Sequence, residues 1–143
     1  MATKVYQTVA GLNAALRRLP KEASVQLRNA SQAMAGEVAA EAKAKASGLP
    51  GAYRKVAPTI RAKRDRIPVI QMGGSTKLRK GPRQTVGDLI WGAEFGGRGR
   101  PTTQQFLPHL GQTGYALWPT IRANHDDIIE AYSAAFDEAV ERL

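Results

Sequence analysis

The chain has 143 residues, no cysteine, and a formal charge of +9 from 21 Lys and Arg against 12 Asp and Glu. A chain of this length fits one domain, and the lack of cysteine excludes disulfides, cysteine-based zinc sites and thiol catalysis. No apolar run is as long as a transmembrane helix, and the N-terminus lacks the apolar core of a signal peptide, so we expect a soluble protein made in a cytosol.

Two helices are predicted in the first third of the chain. Apolar residues recur at steps of three and four over residues 4–19, which predicts an amphipathic helix that Pro20 ends. Residues 21–47 are rich in Ala, Glu and Lys and predict a second helix, about 40 Å long. Beyond Val38 its apolar residues are alanines only. We therefore expect this distal half either to lie against something small or close, with a neighbouring subunit as one candidate, or to be solvated, and both alternatives stay open.

The middle of the chain predicts a small antiparallel sheet. Residues 56–64 and 67–72 are predicted to be two short strands because apolar side chains alternate along them. Pro58 and Pro68 remove ladder donors, which favours edge positions. Residues 73–85 are glycine-rich and basic and are predicted to be a loop. The alternating positions are Ile60, Ala62 and Arg64 in the first strand and Ile67, Val69 and Gln71 in the second.

The last third combines an irregular apolar segment with a helix. Residues 86–95 fit a strand or a short helix equally well. Residues 96–114 are broken by Gly and Pro and are predicted to be a loop, yet the segment is too apolar for a passive linker. We expect packing to order it, and another subunit is one candidate for its packing partner.

A C-terminal amphipathic helix is predicted over residues 119–142, with apolar and acidic side chains on separate arcs. Pro119 suits its first turn, while Asn124 with Asp127 resembles a capping box, so two starting points remain open. The fold class expected from these elements is α+β, in a single domain.

The residue types and spacings predict no catalytic, cofactor or metal site. His109 has no partner at ligand spacing, and His125 is expected to be a packed or capping histidine beside Asp126 and Asp127. The serines lie in no nucleophile motif, and the glycine-rich stretches lack phosphate-loop and dinucleotide spacing. We therefore expect a protein that is not an enzyme.

Charge is distributed unevenly along the chain. Residues 54–83 hold ten Lys or Arg against Asp65, whereas residues 124–143 hold six acids against Arg142. This asymmetry favours nucleic acid or head-to-tail contact between copies of the chain, and a solvated loop is the third alternative. Base stacking is unsupported, since only Tyr53 at the edge is aromatic. The candidate residues for charged contacts are Arg61, Lys63, Arg64, Arg66, Lys77, Arg79, Lys80 and Arg83.

Three motifs follow one another in the second half. They are the aromatic-Gly-x-Glu-Phe-Gly stretch from Trp91 to Gly96, Arg100-Pro101 with Phe106-Leu107-Pro108, and the final helix entered through Trp118-Pro119. With the order of the elements, they make nearly the whole chain resemble the tail-completion, or type 1 neck, family of long-tailed bacteriophages, in the form carried by actinobacterial phages.

The resemblance implies a small α+β structural protein of the virion neck, made in the host cytoplasm. It implies a homo-oligomeric ring, six-fold or twelve-fold, between the head connector or stopper and the tail terminator or tail tube, with genomic DNA passing along the axis and no membrane. A ring needs two different complementary surfaces on each chain, and the basic middle and acidic final helix could supply them.

The candidate residues for packing between subunits or partners are Trp91, Phe95, Arg100, Phe106, Leu107, Tyr115 and Trp118. Two alternatives remain: a basic DNA-binding or packaging accessory protein, and a tail terminator or minor tail protein.

Overall fold

The computed structural model describes residues 9–75, 85–97 and 106–141 of the chain. Within these ranges the fold is helical with one two-stranded antiparallel sheet, which confirms the α+β class. The helices are α1 Val9–Arg17, α2 Lys21–Ser47, α3 Tyr53–Val56, α4 Ile90–Phe95 and α5 Leu117–Glu141. The strands are β1 Arg61–Lys63 and β2 Val69–Gln71, and 3-10 turns span Ala57–Thr59 and Val86–Leu89.

Helix α2 joins two clusters of buried side chains. Its first half packs with α1 and the end of α5, around Leu16, Leu27 and Phe136. Its second half belongs to a cluster that α3, the sheet and α4 also join, around Tyr53 and Val56. No helix in the described ranges combines the length and the apolarity needed to cross a membrane.

One face of the distal half of α2 lies close against other elements of its own chain, so the fully solvated alternative is wrong, whereas contact of its exposed face with a neighbouring subunit stays a prediction. Ala39, Ala42 and Ala46 are at most 3% exposed and belong to the same buried cluster as Tyr53 and Val56. The small alanine side chains let neighbouring elements approach the helix closely, and those elements supply the bulk that α2 lacks.

The first predicted strand is wrong over its first half. Tyr53, Val56, Ala57 and Ile60 are all at most 3% exposed and follow the i, i+3, i+4, i+7 spacing of a helix. They form α3 and the 3-10 turn, with Pro58 in the first turn of that 3-10 segment. Only the residues after Ile60 extend into β1.

The face of the second strand is also corrected. Ala62 of β1 pairs with Ile70 of β2. Ile70 and Met72 pack against the buried cluster, whereas the alternating positions predicted for this strand were Ile67, Val69 and Gln71. Ile67 packs instead in the cluster around Leu27. A strand of three residues carries too short an alternation to define its own buried face, so the surrounding elements decide it.

The remaining predicted boundaries shift by small amounts. Helix α1 ends at Arg17, before the predicted position 19, and residues 4–8 lie outside the described ranges. Residues 86–95 are helical. Helix α5 starts at Leu117, so Asn124 is internal and no capping box forms there. The Asn124 side chain instead donates to the Thr120 carbonyl at 2.8 Å.

Candidate interaction site

The described part of the irregular segment folds back on α4 of the same chain. The Gly97 N–H donates to the Leu107 carbonyl at 2.9 Å, and the Leu110 N–H donates to the Phe95 carbonyl at 3.0 Å. The Tyr115 N–H donates to the Glu94 carbonyl at 2.8 Å. Backbone hydrogen bonds to its own chain therefore hold the segment on both sides of residues 98–105.

Two glycines make this close approach possible. A Cβ on Gly92 would lie 2.3 Å from Cε1 of Phe106. Gly96 has φ +76°, and a Cβ there would lie 2.2 Å from the Pro108 carbonyl oxygen. The glycines of the Trp91–Gly96 motif are thus explained by packing within the chain.

Glu94 is the polar centre of the site and is only 3% exposed. Its carboxylate accepts the Leu117 N–H at 3.0 Å and the Trp118 N–H at 2.8 Å, and it also accepts the buried Tyr53 hydroxyl. These two amides are among the first of α5, where a helix has unpaired N–H groups and a positive dipole end. Glu94 therefore caps α5 and fixes its position relative to α4.

The sequence places Glu94 within the Trp91–Gly96 motif, but it was not predicted to cap α5. One signal could have found it: between Asp88 and Asp126, Glu94 is the only acid. A lone carboxylate in an apolar stretch must find several donors to be buried.

Helix α4 and the first turn of α5 frame an open apolar cleft of about 500 Å³, which we call the tryptophan cleft. Trp91 is 70% exposed and Trp118 is 45% exposed. The Trp91 ring stacks on Phe95 with centroids 5.9 Å apart. The lining residues are Ile70, Met72, Ile90, Trp91, Glu94, Phe95, Leu117, Trp118 and Ile121.

A second apolar depression of about 230 Å³, which we call the helix groove, continues along α5. It shares Ile70 and Ile121 with the tryptophan cleft and reaches Ile129, which is 52% exposed. Together the cleft and groove form an apolar track between β2, α4 and α5.

The structure brings only some of the predicted packing residues to this track. Trp91, Phe95 and Trp118 line the cleft. Phe106 and Tyr115 pack against the buried cluster of their own chain instead. The remaining two are Leu107, whose carbonyl accepts the Gly97 N–H, and Arg100, which lies outside the described ranges.

The predicted basic residues that can be placed lie along β1 and the turn after it. Arg61 and Lys63 are exposed on the strand, and exposed Arg64 donates to the Asn29 side chain. Arg66 is half-buried, and its carbonyl accepts the Tyr132 hydroxyl at 2.9 Å. Lys77, Arg79, Lys80 and Arg83 lie outside the described ranges.

Burial perturbs the acidity of Tyr132. Burial raises its pKa from 10.0 to about 12, with Asp65 adding to the rise and Arg66 opposing it. The raised pKa keeps the hydroxyl protonated as the donor to the Arg66 carbonyl. This hydrogen bond ties α5 to the turn between the strands.

The histidines do not build a site together. His125 was predicted to be a packed or capping histidine; it lines the helix groove, but its side chain is 64% exposed, and its Nδ1 lies 3.2 Å from Asp126 Oδ1. It can reach this sequence neighbour because both side chains extend into solvent. His109 is exposed in the loop after Pro108. Across the described ranges, no three His, Asp or Glu side chains are grouped so that they could hold a metal ion.

Comparisons of the chain with protein-family models, with curated proteins and with solved structures find no match.

Proposed function

We propose that the protein is a structural component of a bacteriophage neck, joining the head connector to the tail through ring-forming contacts between its own copies. The tryptophan cleft is the observation that carries this proposal. Four of its lining residues, Trp91, Glu94, Phe95 and Trp118, belong to two of the three motifs on which the family resemblance depends.

An exposed cleft with this lining is costly to leave in water, and such patches are typical of surfaces that a partner covers. Tryptophan is among the residues most enriched where binding energy concentrates. The buried Glu94 cap joins the two helices that carry Trp91 and Trp118, so the cleft is held in a defined shape before any partner binds. A preorganised surface loses less entropy on assembly.

The distribution of charge supports closure into a ring. Helix α5 carries six acids against Arg122, while Arg61 and Lys63 lie exposed on β1. A ring requires each chain to present two different surfaces that complement each other, and opposite charge on different elements meets this requirement.

Gold-labelled antibody on purified tailed particles tests the proposal. The label is expected at the junction between head and tail. Particles that lack the protein at this junction, or a substrate turned over by the purified protein, would overturn the proposal. A gene located between the major capsid and major tail genes would support it independently.

A second candidate function, DNA binding, is favoured by the exposed basic strand. Arg61 and Lys63 project from one face of β1, and Arg64 follows them, so they could contact neighbouring phosphates. The logarithm of the DNA-binding constant should then fall by about 0.9 per phosphate contacted for each tenfold increase in salt concentration. Negligible duplex binding at physiological salt would exclude this alternative and leave the neck proposal standing.

A further inference from the structure

Helix α5 presents an exposed aliphatic side chain beside acids, at the mouth of the helix groove. Ile129 lines the groove and is 52% exposed. Asp126 lies one helical turn before it and is fully exposed, and exposed Glu130 lies one turn after Asp126. We call Asp126 and Glu130 the acidic rim. An occupant of this end of the groove must therefore be apolar at its centre and basic around it.

The first half of α2 presents the complementary arrangement. Val25 is 41% exposed and has exposed Lys21 one turn before it and exposed Arg28 one turn after it. Arg64 adds a further cation close by, because its side chain donates to Asn29 of α2. We call Lys21, Val25, Arg28 and Arg64 the basic face.

The two surfaces lie at different places along α2 within one chain. The α2 residue that lines the helix groove is Ala35. Val25 lies ten positions earlier, about 15 Å away along the helix axis. Val25 therefore does not cover the helix groove of its own chain, but the basic face can meet that of another copy.

We propose that the occupant of the helix groove is a second copy of this chain, with Val25 packed on Ile129 and with Lys21 and Arg28 facing Asp126 and Glu130. The contact is heterologous, so each chain uses both surfaces and the contact can repeat from copy to copy. This inference rests on the proposed ring-forming function and names the surfaces that would form the ring.

Disulfide trapping tests the contact directly, because the chain has no cysteine of its own. Mild oxidation of V25C chains mixed with I129C chains should give the mixed disulfide in clear excess over either variant alone. The matched control is A44C, an exposed position in the distal half of α2, mixed with I129C. Equal trapping with A44C, or none with V25C, would overturn the contact.

Charge reversal tests the same contact without covalent trapping. K21E/R28E and D126K/E130K should each weaken self-association by about tenfold or more, because like charges then face each other. Mixing the two variants should restore association, since every contact in the mixture can again pair opposite charges. The proposed charge pairing would be contradicted if neither variant showed weaker self-association, or if mixing the two variants did not restore it.

The outcomes separate this inference from the function on which it rests. If the gold label lies at the junction but V25C and I129C do not form a disulfide, this contact is refuted and the neck proposal is retained. If the disulfide forms but no label is found on particles, the contact is retained and the neck proposal is refuted. Sedimentation of K21E/R28E alone and mixed, beside circular dichroism spectra, shows whether a loss of association reflects the surface or a failure to fold.

Discussion

Glu94 shows how a single residue can organise the site. A buried carboxylate loses its hydration, and this loss is tolerated only when several donors replace the water. Here the donors are the Tyr53 hydroxyl and the first amides of α5, and the positive end of the helix dipole adds to the stabilisation. The same carboxylate therefore stabilises the fold and positions Trp118.

Replacing Glu94 with Ala should lower the free energy of unfolding by about 3 kcal/mol or more, because several buried donors lose their acceptor at once. Tyr53→Phe should cost only about 1 kcal/mol, since the carboxylate keeps its backbone donors. Urea unfolding of both variants measures the difference. Glu37→Ala, at an exposed position of α2, is the control and should be near neutral. Equal effects of Glu94→Ala and Glu37→Ala would show that Glu94 does not cap α5.

Gly96 allows a comparison between steric clash and backbone strain. Gly96→Ala combines a positive φ of +76° with a Cβ 2.2 Å from the Pro108 oxygen. Gly111→Ala has a φ of +65° with nothing within 4 Å, so it should cost only the strain, about 1 kcal/mol. Gly96→Ala should cost clearly more in thermal unfolding. Similar losses in the two variants would mean that the loop shifts to relieve the clash.

Tyr132 predicts a pH dependence at the alkaline end. The folded state holds the phenolic proton up to about pH 12, whereas the unfolded chain releases it near 10.0. The hydroxyl's contribution to stability is thus complete below pH 10 and is lost as pH rises toward 12. The stability difference between wild type and Tyr132→Phe should shrink across this window in urea titrations. If the difference in unfolding free energy stayed constant across this window, Tyr132 would be solvent-exposed in the folded state rather than partly buried.

At the scale of elements, α2 packs through its smallest side chains. Its distal half contributes alanines that are at most 3% exposed, and α3 contributes the larger Tyr53 and Val56. Bulk on one element and small residues on the other give the close packing of a protein interior. This arrangement explains why a helix without large residues can still be central to the fold.

Enlarging a buried alanine of α2 should reveal how tightly this helix is packed. Ala42→Leu inserts three carbons at a site that is 0% exposed and should cost about 1–3 kcal/mol or more. Ala44→Leu makes the same change on the exposed side of α2 and should stay within about 0.5 kcal/mol. Chemical unfolding of both variants gives the comparison. A neutral Ala42→Leu would mean that this half of α2 is not packed on its own chain.

At the scale of the whole molecule, the chain places its two tryptophans on one surface and six of its 12 acids on α5. Trp91 and Trp118 are the only tryptophans in the sequence, and both line the same cleft. Tryptophan fluorescence, excited selectively at about 295 nm so that the four tyrosines do not contribute, therefore reports on this surface alone. Covering the cleft in an assembly should shift tryptophan emission to shorter wavelength.

Trp118→Ala should impair assembly into tailed particles while leaving the monomer folded, because nearly half of the side chain is exposed and the Glu94 cap uses only its backbone. Complementation of a strain lacking the gene, followed by counting infectious particles, measures the effect. Leu110→Ala is the control, since Leu110 is similarly exposed but does not line the cleft. Normal yields of infectious particles with Trp118→Ala would contradict the proposed packing role.

The sequence by itself determined the features that depend on long, regular patterns. The span of α2, the existence of α5 and the α+β class follow from helix-forming composition and apolar periodicity over many residues. The exposed tryptophans could be named as candidates because large aromatics in a broken segment are unusual.

Only the tertiary structure decided the features that depend on packing neighbours distant in sequence. The buried face of β2, the helical path from Tyr53 to Ile60 and the burial of Ala42 each depend on neighbours distant in sequence. Glu94 became a helix cap only when folding brought α4 against the start of α5. A short segment has too few local interactions to fix its own environment, so contacts made across the chain determine it.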